Sequence, residues 1–248
     1  MRLIDLNIWG GKLSNDLEEF ISRNRQTTDI FCFQEVLDEA AGALSEGFVS
    51  PGAVPDIYLK LCHMLPDFTS LLSDTYTSHN LRLAIFFKRG LKLAGSGEIG
   101  LCAKRPVEFR GRTSLISSIL QWAEFDLSGR RLTIANVHGL FTPDKLDNPD
   151  RIEQSEKIVR FLNRREGAKI LCGDLNVDIA TKSIGILDGS LQNLIREYNV
   201  ATTRNWHTPA EVPKFADYVF VSKDVNVEKF EAMQDDVSDH LPLSIRFS

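Results

Sequence analysis

The sequence predicts a single α/β (α+β) domain in which helices cover β-sheets. Two observations predict this class. Short apolar runs recur along the 248 residues and are separated by turn residues. Segments with helical periodicity lie between these runs, and no repeat, low-complexity tract or linker divides the chain. We therefore expect one domain over residues 1–248, a length that buries a sizeable core.

Ten apolar runs are candidate strands because they are rich in aliphatic, β-branched and aromatic residues. In chain order they are 2–8, 28–35, 81–88, 91–99, 113–127, 131–138, 168–176, 215–222, 225–233 and 240–247. Arg89-Gly90, Ser128-Gly129 and Lys223-Asp224 each separate two successive runs and have the character of tight turns. These turns predict three hairpins and therefore largely antiparallel sheets.

Helical patterns occupy four segments: 14–25, 55–65, 148–167 and 188–198. The clearest pattern is that of 148–167, where Asn148 suits the N-cap, Pro149 the first turn and Gly167 the end of a helix. The segment 188–198 repeats its apolar residues at helical spacing.

Charge and composition limit the function classes. The net charge of -5 and the pI of about 5.6 argue against a strongly basic nucleic-acid surface, although a few phosphate contacts are compatible with them. The four cysteines form no CxxC pair and are typical of reduced thiols. No leader pattern or membrane-length apolar stretch is present. We expect a cytoplasmic monomer.

Polar residues gather where the predicted strands begin or end. They are Asn7, Glu35, His138, Asp174, Asn176, Asp217, Asp239 and His240. Each has an ordinary explanation on its own, such as a turn, a strand exit or a core histidine. Their joint appearance at strand ends favours one cluster at one edge of the sheets.

The residue types in this cluster indicate phosphoester chemistry. Carboxylates and amide oxygens are hard ligands that suit Mg²⁺, with Mn²⁺ as an alternative. The sequence has no zinc-type Cys/His spacing, no GxSxG motif and no GxxxxGK[ST] loop. A hard cation beside imidazoles and a spare carboxylate fits hydrolysis of a phosphate ester by an activated water.

The motifs "LNIWGG", "FQE", "NVHG", "GDLN", "FADYVFVS" and "SDHLPL" closely resemble the endonuclease/exonuclease/phosphatase superfamily. They follow the order of the superfamily over essentially the whole chain. The resemblance implies a four-layered sandwich of two packed mixed β-sheets flanked by helices, with the active site at one end.

The resemblance also implies individual roles. Glu35 resembles the principal metal-binding carboxylate, with Asn7 and Asp239 beside the metal. Asp174 resembles the group that orients and deprotonates the attacking water.

The other motif residues correspond to groups that hold the phosphate. Asn176 resembles the amide that holds the phosphate or the water, and His138 fills a position that can stabilise the phosphate. His240 resembles the histidine that clamps the phosphate, with Asp217 as its partner, and we expect its imidazole to be positively charged.

Substrate recognition is less defined by the motifs. Arg82 matches the superfamily loosely at a position that can approach the site. The 203–215 loop carries Arg204 and Trp206, and either reads a substrate or packs Trp206 on the core. The segment 139–150 could form a lid.

We expect a metal-dependent phosphodiesterase of the nuclease type, acting on nucleic acid or a nucleotide. One alternative is a phosphomonoesterase for a small metabolite or an inositol or lipid headgroup. Another is a catalytically silent binding module.

Overall fold

The computed structural model describes residues 1–38, 51–74, 80–109 and 112–248. Across these ranges the chain forms two six-stranded sheets that pack face to face, with helices on the outer faces. The predicted α/β sandwich of two mixed sheets is confirmed.

The strands of the described ranges are β1 (Arg2–Asn7), β2 (Ile30–Val36), β3 (Phe68–Leu72), β4 (Arg82–Lys88), β5 (Lys92–Phe109), β6 (Arg112–Leu127), β7 (Arg130–His138), β8 (Ala168–Asp174), β9 (Gln192–Asn193), β10 (Asp217–Val221), β11 (Val227–Ala232) and β12 (Leu243–Phe247). The first sheet has the order β11-β12-β1-β2-β4-β3, and the second has the order β5-β6-β7-β8-β10-β9. Each sheet holds one parallel pair, β1 with β2 and β7 with β8, among antiparallel neighbours.

The helices in the same ranges are α1 (Ser14–Asn24), α2 (Ile57–Met64), α3 (Pro149–Asn163), α4 (Lys182–Asp188) and α5 (Leu194–Glu197). Alternation along β1 sends Leu3 into the core between the sheets, while Ile4 packs with Phe20 of α1 and Leu61 of α2. Helix α3 begins as predicted, because the Asn148 side chain accepts a hydrogen bond from the backbone of the first turn. Helices α3 and α4 pack on the second sheet.

The predicted helix over 188–198 is wrong in most of its length. Helix α4 ends at Asp188, the short strand β9 follows, and α5 begins only at Leu194. The Asn193 side chain accepts from the backbone nitrogens of Ile195 and Arg196 and so starts a new helix in the middle of the apolar repeat. The two residues before α5 form β9 and pair with β10, so they cannot continue a helix.

Two of the three predicted hairpins are also wrong. Ser128-Gly129 does join antiparallel neighbours, β6 and β7, and both residues have positive φ as a tight hairpin turn requires. Arg89-Gly90 instead connects β4 of the first sheet to β5 of the second, and Lys223-Asp224 connects β10 back to β11. A short turn after a buried strand can lead to either sheet, because apolar strands of both sheets face the same core.

Among the described helices, none has the length and apolar character that crossing a bilayer requires.

Candidate active site

Strand ends from both sheets meet at one edge of the sandwich. Parallel pairing aligns Asn7 of β1 with Gln34 of β2, and His138 of β7 with Asp174 of β8. Asp217, the first residue of β10, pairs with Asp174 because β10 runs antiparallel to β8. The polar strand ends of the sequence are therefore neighbours in space.

Glu35 reaches this edge through an irregularity in β2. The pairing of β2 with β4 shifts register between Phe33 and Val36, and Glu35 has a left-handed backbone with a φ of 57°. Its Oε1 accepts a hydrogen bond of 3.2 Å from Asn7 Nδ2. Burial, and after it the charge of Asp239, raises the pKa of Glu35 to about 7.

Asp174 lies at the centre of the cluster and is buried. Its Oδ1 accepts from the backbone nitrogen of Asn176 at 2.7 Å, and its Oδ2 accepts from Asn7 Nδ2 at 3.1 Å. The Nε2 atoms of His138 and His240 lie 3.7 and 3.8 Å from Oδ2. Burial acts to raise the pKa of Asp174, but His240, His138 and nearby cations outweigh burial and hold this pKa well below its usual range. Asp174 is thus an ionised carboxylate with oriented oxygens.

Two glycines allow β7 and β8 to carry these residues so close together. A Cβ on Gly173 would lie 2.1 Å from the carbonyl oxygen of Val137, and Gly173 has a φ of 130°. A Cβ on Gly139 would lie 2.4 Å from the carbonyl oxygen of Leu175. The glycines of "NVHG" and "CGD" are therefore required by close backbone approach.

His240 is held by Asp217, as the motifs imply. Its Nδ1 lies 2.7 and 2.8 Å from the two carboxylate oxygens of Asp217. On the other side of the ring, Nε2 accepts a hydrogen bond from the Arg204 guanidinium, which has donors but no acceptor. Nδ1 therefore carries the ring proton and donates a hydrogen bond to Asp217.

The charges in this part of the site differ from the expectation. Burial, and then Arg204, lowers the pKa of His240 to about 4, and burial also lowers the pKa of His138 to about 4. Burial, followed by the charge of Asp174, raises the pKa of Asp217 well above its usual range. In the free protein the positive charge expected on His240 lies instead on Arg204.

Asp239 and His240 precede the last strand and do not open it. Their loop is tied to the first strand, because the Ser238 hydroxyl donates to the backbone oxygen of Asn7 at 2.7 Å. Asp239 Oδ1 accepts from Ser238 at 3.3 Å and lies 3.8 Å from His240 Nε2. Asp239 is thus beside His240 and close enough to Glu35 for its charge to affect that carboxyl group.

The donors of this cluster fit a hard divalent cation. The charge of Asp239 adds to burial in raising the pKa of Glu35, and a cation bound by these two carboxylates would offset that repulsion. A second arrangement is also present, since ligand atoms of Asp174, Asp217 and His240 all lie within 4.8 Å of one another. The set of Asn7, Glu35 and Asp239 stays a prediction, and Asn7 directs its amide nitrogen, which is not a ligand atom, to Glu35.

Three predicted substrate residues differ in their placement. Arg204 forms a β-bridge with His240 and lies in the site. Trp206 is 73% exposed, stacks on His207 and donates to Asp236 at 3.1 Å, so it is not packed on the core. Arg82 donates to the backbone oxygen of Ser73 at the end of β3.

Lys145 is a site residue that the sequence reasoning missed. Its side chain is buried, its Nζ donates to Oδ1 of Asn176, and burial lowers its pKa to about 8. Asn176 also donates to the backbone oxygen of Gly139 at 3.2 Å. The only signal in the sequence is the position of Lys145 soon after the "NVHG" motif.

Arg151 of α3 was also missed, and it fixes the segment that carries Lys145. The fully buried guanidinium donates to the backbone oxygens of Leu140, Leu146 and Asn176. The side chain of Gln154, one turn later, accepts from the backbone nitrogen of Leu140. The 139–150 segment, for which a lid was one possibility, is thus fastened to α3 and to the strand-end loop of Asn176.

A layer of buried polar side chains supports the site from below. Gln34 Nε2 donates to Asp5 Oδ1 and to Asn136 Oδ1, each at 2.7 Å, and Asn136 donates to the backbone oxygen of Phe33. Burial raises the pKa of Asp5 well above its usual range. Strand alternation places Asp5 and Gln34 on the face of Asn7, and this signal could have been read from "RLIDLN" and "FCFQE".

Comparison with known proteins identifies the family of the chain. The model of the Endonuclease/Exonuclease/phosphatase family matches residues 6–240. A search of curated protein sequences finds no significant match.

Solved structures share the fold at low sequence identity. The mannosyl-6-phosphatase Bt3783 of Bacteroides thetaiotaomicron is 17% identical with a TM-score of 0.70, over 100% of this chain and 99% of that one. The human Nocturnin catalytic domain is 20% identical with a TM-score of 0.70, over 100% and 94% of the two chains. Humanized D. rerio TDP2 is 15% identical with a TM-score of 0.74, over 100% and 98%.

The family model covers the strand-end cluster from Asn7 to His240, and the two-sheet sandwich is shared with these structures. The chain belongs to the endonuclease/exonuclease/phosphatase family.

Proposed function

We propose that this protein is a divalent-metal-dependent phosphoester hydrolase. The observation that carries the proposal is Asp174, a buried carboxylate that remains ionised and has both oxygens oriented by Asn7 and Asn176. A buried anion of this kind is suited to orient a water molecule, and a metal that acidified this water would allow the carboxylate to accept its proton despite the lowered pKa. Family membership supports the reaction class.

Glu35 and Asp239 would hold Mg²⁺, with Mn²⁺ able to replace it. Bound there, the cation supplies positive charge to the phosphate and to the developing oxyanion. Asp174 orients the attacking water and takes its proton. His240, whose ring is fixed by Asp217, would bind a phosphate oxygen through Nε2 once the phosphate takes the place of Arg204 and this nitrogen gains a proton.

We propose a phosphodiester in nucleic acid or a nucleotide as the substrate class. Trp206 supports this proposal because it presents a large exposed ring only two residues after Arg204. Its indole nitrogen is held by Asp236, which also contacts His207, so the stacked pair is fixed in place. Exposed, fixed aromatic rings are platforms on which bases stack.

A phosphomonoester is the second candidate, and a different observation favours it. Lys145 and Arg204 place two cationic side chains around the cluster, in addition to any metal. A terminal phosphate carries more negative charge than a diester, and two cations suit that charge.

The test is hydrolysis of bis-p-nitrophenyl phosphate and p-nitrophenyl phosphate, followed by DNA, RNA, nucleotides, sugar phosphates and inositol lipids. Each assay is run with Mg²⁺, with Mn²⁺ and with EDTA. We expect metal-dependent turnover by the wild-type protein and a loss of about 10²-fold or more in kcat for Asp174→Asn. Asp224→Asn, in an exposed turn remote from the site, is the matched control. Absence of metal-dependent turnover across the panel would leave a silent binding module as the better description.

A further inference from the structure

We propose that Lys145 is a further catalytic residue that binds the scissile phosphate and neutralises its charge in the transition state. The inference rests on the proposed phosphoester hydrolysis and deepens it. It assigns to a lysine the cationic role that the motifs suggest for a histidine.

The first reason is the position of the Lys145 ammonium group. The side chain is buried, yet within the described residues no carboxylate oxygen lies within 4.0 Å of its Nζ, and its hydrogen-bond acceptor is the Asn176 amide oxygen. A buried ammonium group without a paired carboxylate is costly, and besides Asn176 this one has only the face of the Phe141 ring, 4.3 Å from Nζ, among its contacts in the described residues. The nearby anions that favour its charge are Asp174 and Glu35, and its contact to Asn176 places it beside the loop that follows Asp174.

The second reason is how firmly the backbone of Lys145 is held. The residue has a left-handed backbone with a φ of 54°, which is rare for a non-glycine residue. Its carbonyl oxygen accepts from the backbone nitrogen of Asp178 at 3.1 Å, and Arg151 holds the carbonyl oxygen of the next residue, Leu146. Strain that surrounding contacts maintain is typical of functional positions.

The third reason is the charge of the neighbouring groups. Four basic side chains lie near the carboxylates of the cluster: Lys12, Lys145, Arg151 and Arg204. Lys145, with a pKa of about 8, remains mostly cationic. Arg151 directs its guanidinium to backbone oxygens and Lys12 lies over the Trp9 ring, whereas Lys145 and Arg204 contact polar side chains of the strand-end cluster.

The donor geometry leaves room for this role. An ammonium group has three donors, and the hydrogen bond to Asn176 uses one of them. Because lysine can only donate, this bond also fixes the Asn176 amide with its oxygen toward Lys145 and its nitrogen toward the Gly139 carbonyl oxygen. Lys145 and the Asn176 amide nitrogen then present donors from adjacent points, as required to hold a tetrahedral anion.

A purely positioning role through Asn176 is the competing explanation, and a set of variants separates the two. The variants are Lys145→Met, Lys145→Arg, Asn176→Ala and the double variant Lys145→Met/Asn176→Ala. Lys169→Met is the matched control, since Lys169 donates to the exposed Gly167 carbonyl oxygen on the side of β8 away from the site. Measurements are kcat and KM with bis-p-nitrophenyl phosphate, the thermal midpoint, and calorimetric binding of inorganic phosphate and orthovanadate.

We expect Lys145→Met to lower kcat by about 10²-fold, as loss of a transition-state donor does. Phosphate and vanadate should bind at least about 10-fold more weakly, a loss that Lys145→Arg should partly restore. The thermal midpoint should be unchanged or higher, because an unpaired buried charge is removed. The double variant should be slower than Asn176→Ala alone.

Three results would overturn the inference. One is a Lys145→Met protein that keeps kcat and phosphate affinity within about 3-fold of wild type. Another is a double variant no slower than Asn176→Ala, which would reduce Lys145 to a positioning residue. The third is a wild-type protein that binds neither phosphate nor vanadate. Because phosphate binding does not require turnover, failure of the proposed function would be seen separately, in the wild-type substrate panel.

Discussion

Asn7 and Asp174 join the two sheets at the site. The amide nitrogen of Asn7, at the end of β1, donates to Asp174 Oδ2, at the end of β8, over 3.1 Å. The same nitrogen donates to Glu35 at 3.2 Å. One amide nitrogen thus links the group that is proposed to bind the metal with the group that is proposed to activate the water, across the two sheets.

Replacing Asn7 with Ala should therefore affect both groups. We expect kcat to fall by about 10- to 100-fold and the Mg²⁺ concentration for half-maximal activity to rise, because both carboxylates lose an orienting donor. Steady-state kinetics over a Mg²⁺ titration would measure both effects. Asn226→Ala, which removes an exposed contact to Ser248, is the control. A variant with normal metal dependence would separate Asn7 from the metal site.

The raised pKa of Glu35 predicts a pH dependence of stability in the metal-free protein. The folded state binds this proton more tightly than the unfolded state, whose pKa is 4.5. The stability from Glu35 is therefore fully present below pH 4.5 and is lost as the pH rises through about 7. The Glu35→Gln variant should not show this loss of folding stability with rising pH.

The measurement is the free energy of unfolding by denaturant in EDTA from pH 4 to 9, compared between wild type and Glu35→Gln. The histidines act with the opposite sign in part of this range, so the difference between the two proteins isolates Glu35. Mg²⁺ should stabilise the wild type more at pH 8 than at pH 5. Parallel stability curves for the two proteins would contradict the assignment.

Arg204→Met should raise the pKa of His240. Arg204 is the largest cause after burial of the lowered value of about 4, and it occupies the Nε2 lone pair. Nuclear magnetic resonance titration of the imidazole signals would measure the change, with Arg196→Met on α5 as a remote control. An unchanged His240 titration would show that burial alone sets its protonation.

Gly173→Ala should destabilise the protein and displace Asp174. The added Cβ would meet the Val137 carbonyl oxygen at 2.1 Å, and the φ of 130° is unfavourable for alanine. We expect a loss of about 3 kcal/mol in the free energy of unfolding together with reduced kcat. Gly100→Ala is the matched control, since its Cβ would meet nothing within 4 Å. Equal stability of the two variants would show that β7 can shift to accept the Cβ.

The sequence predicts the fold class well because strand ends carry the motifs. Asn7, Glu35, His138, Asp174 and Asp217 all lie at or next to strand ends. Sequence patterns do not predict which sheet a turn leads to, as Arg89-Gly90 shows, because that choice depends on packing between distant strands.

The parts of the site that were missed share a physical cause. Lys145 and Arg151 are ordinary charged residues in the sequence, and only tertiary contacts bury them. The neutral state of His240 likewise follows from burial and from Arg204, a contact between residues 36 positions apart. Protonation depends on such non-local contacts, which motif spacing does not record.

The two short links between the sheets, at Arg89-Gly90 and Lys223-Asp224, both lie at the end of the sandwich away from the site. The connection 139–148 begins where β7 ends and the connection 199–216 ends where β10 begins, and both of these strand ends lie at the site. Insertions and deletions in those connections can therefore alter which molecule reaches the groups that are proposed to bind phosphate, without changing how the core closes. Such a division would let one hydrolytic framework acquire new substrates through loop replacement, while the far end preserves its folding.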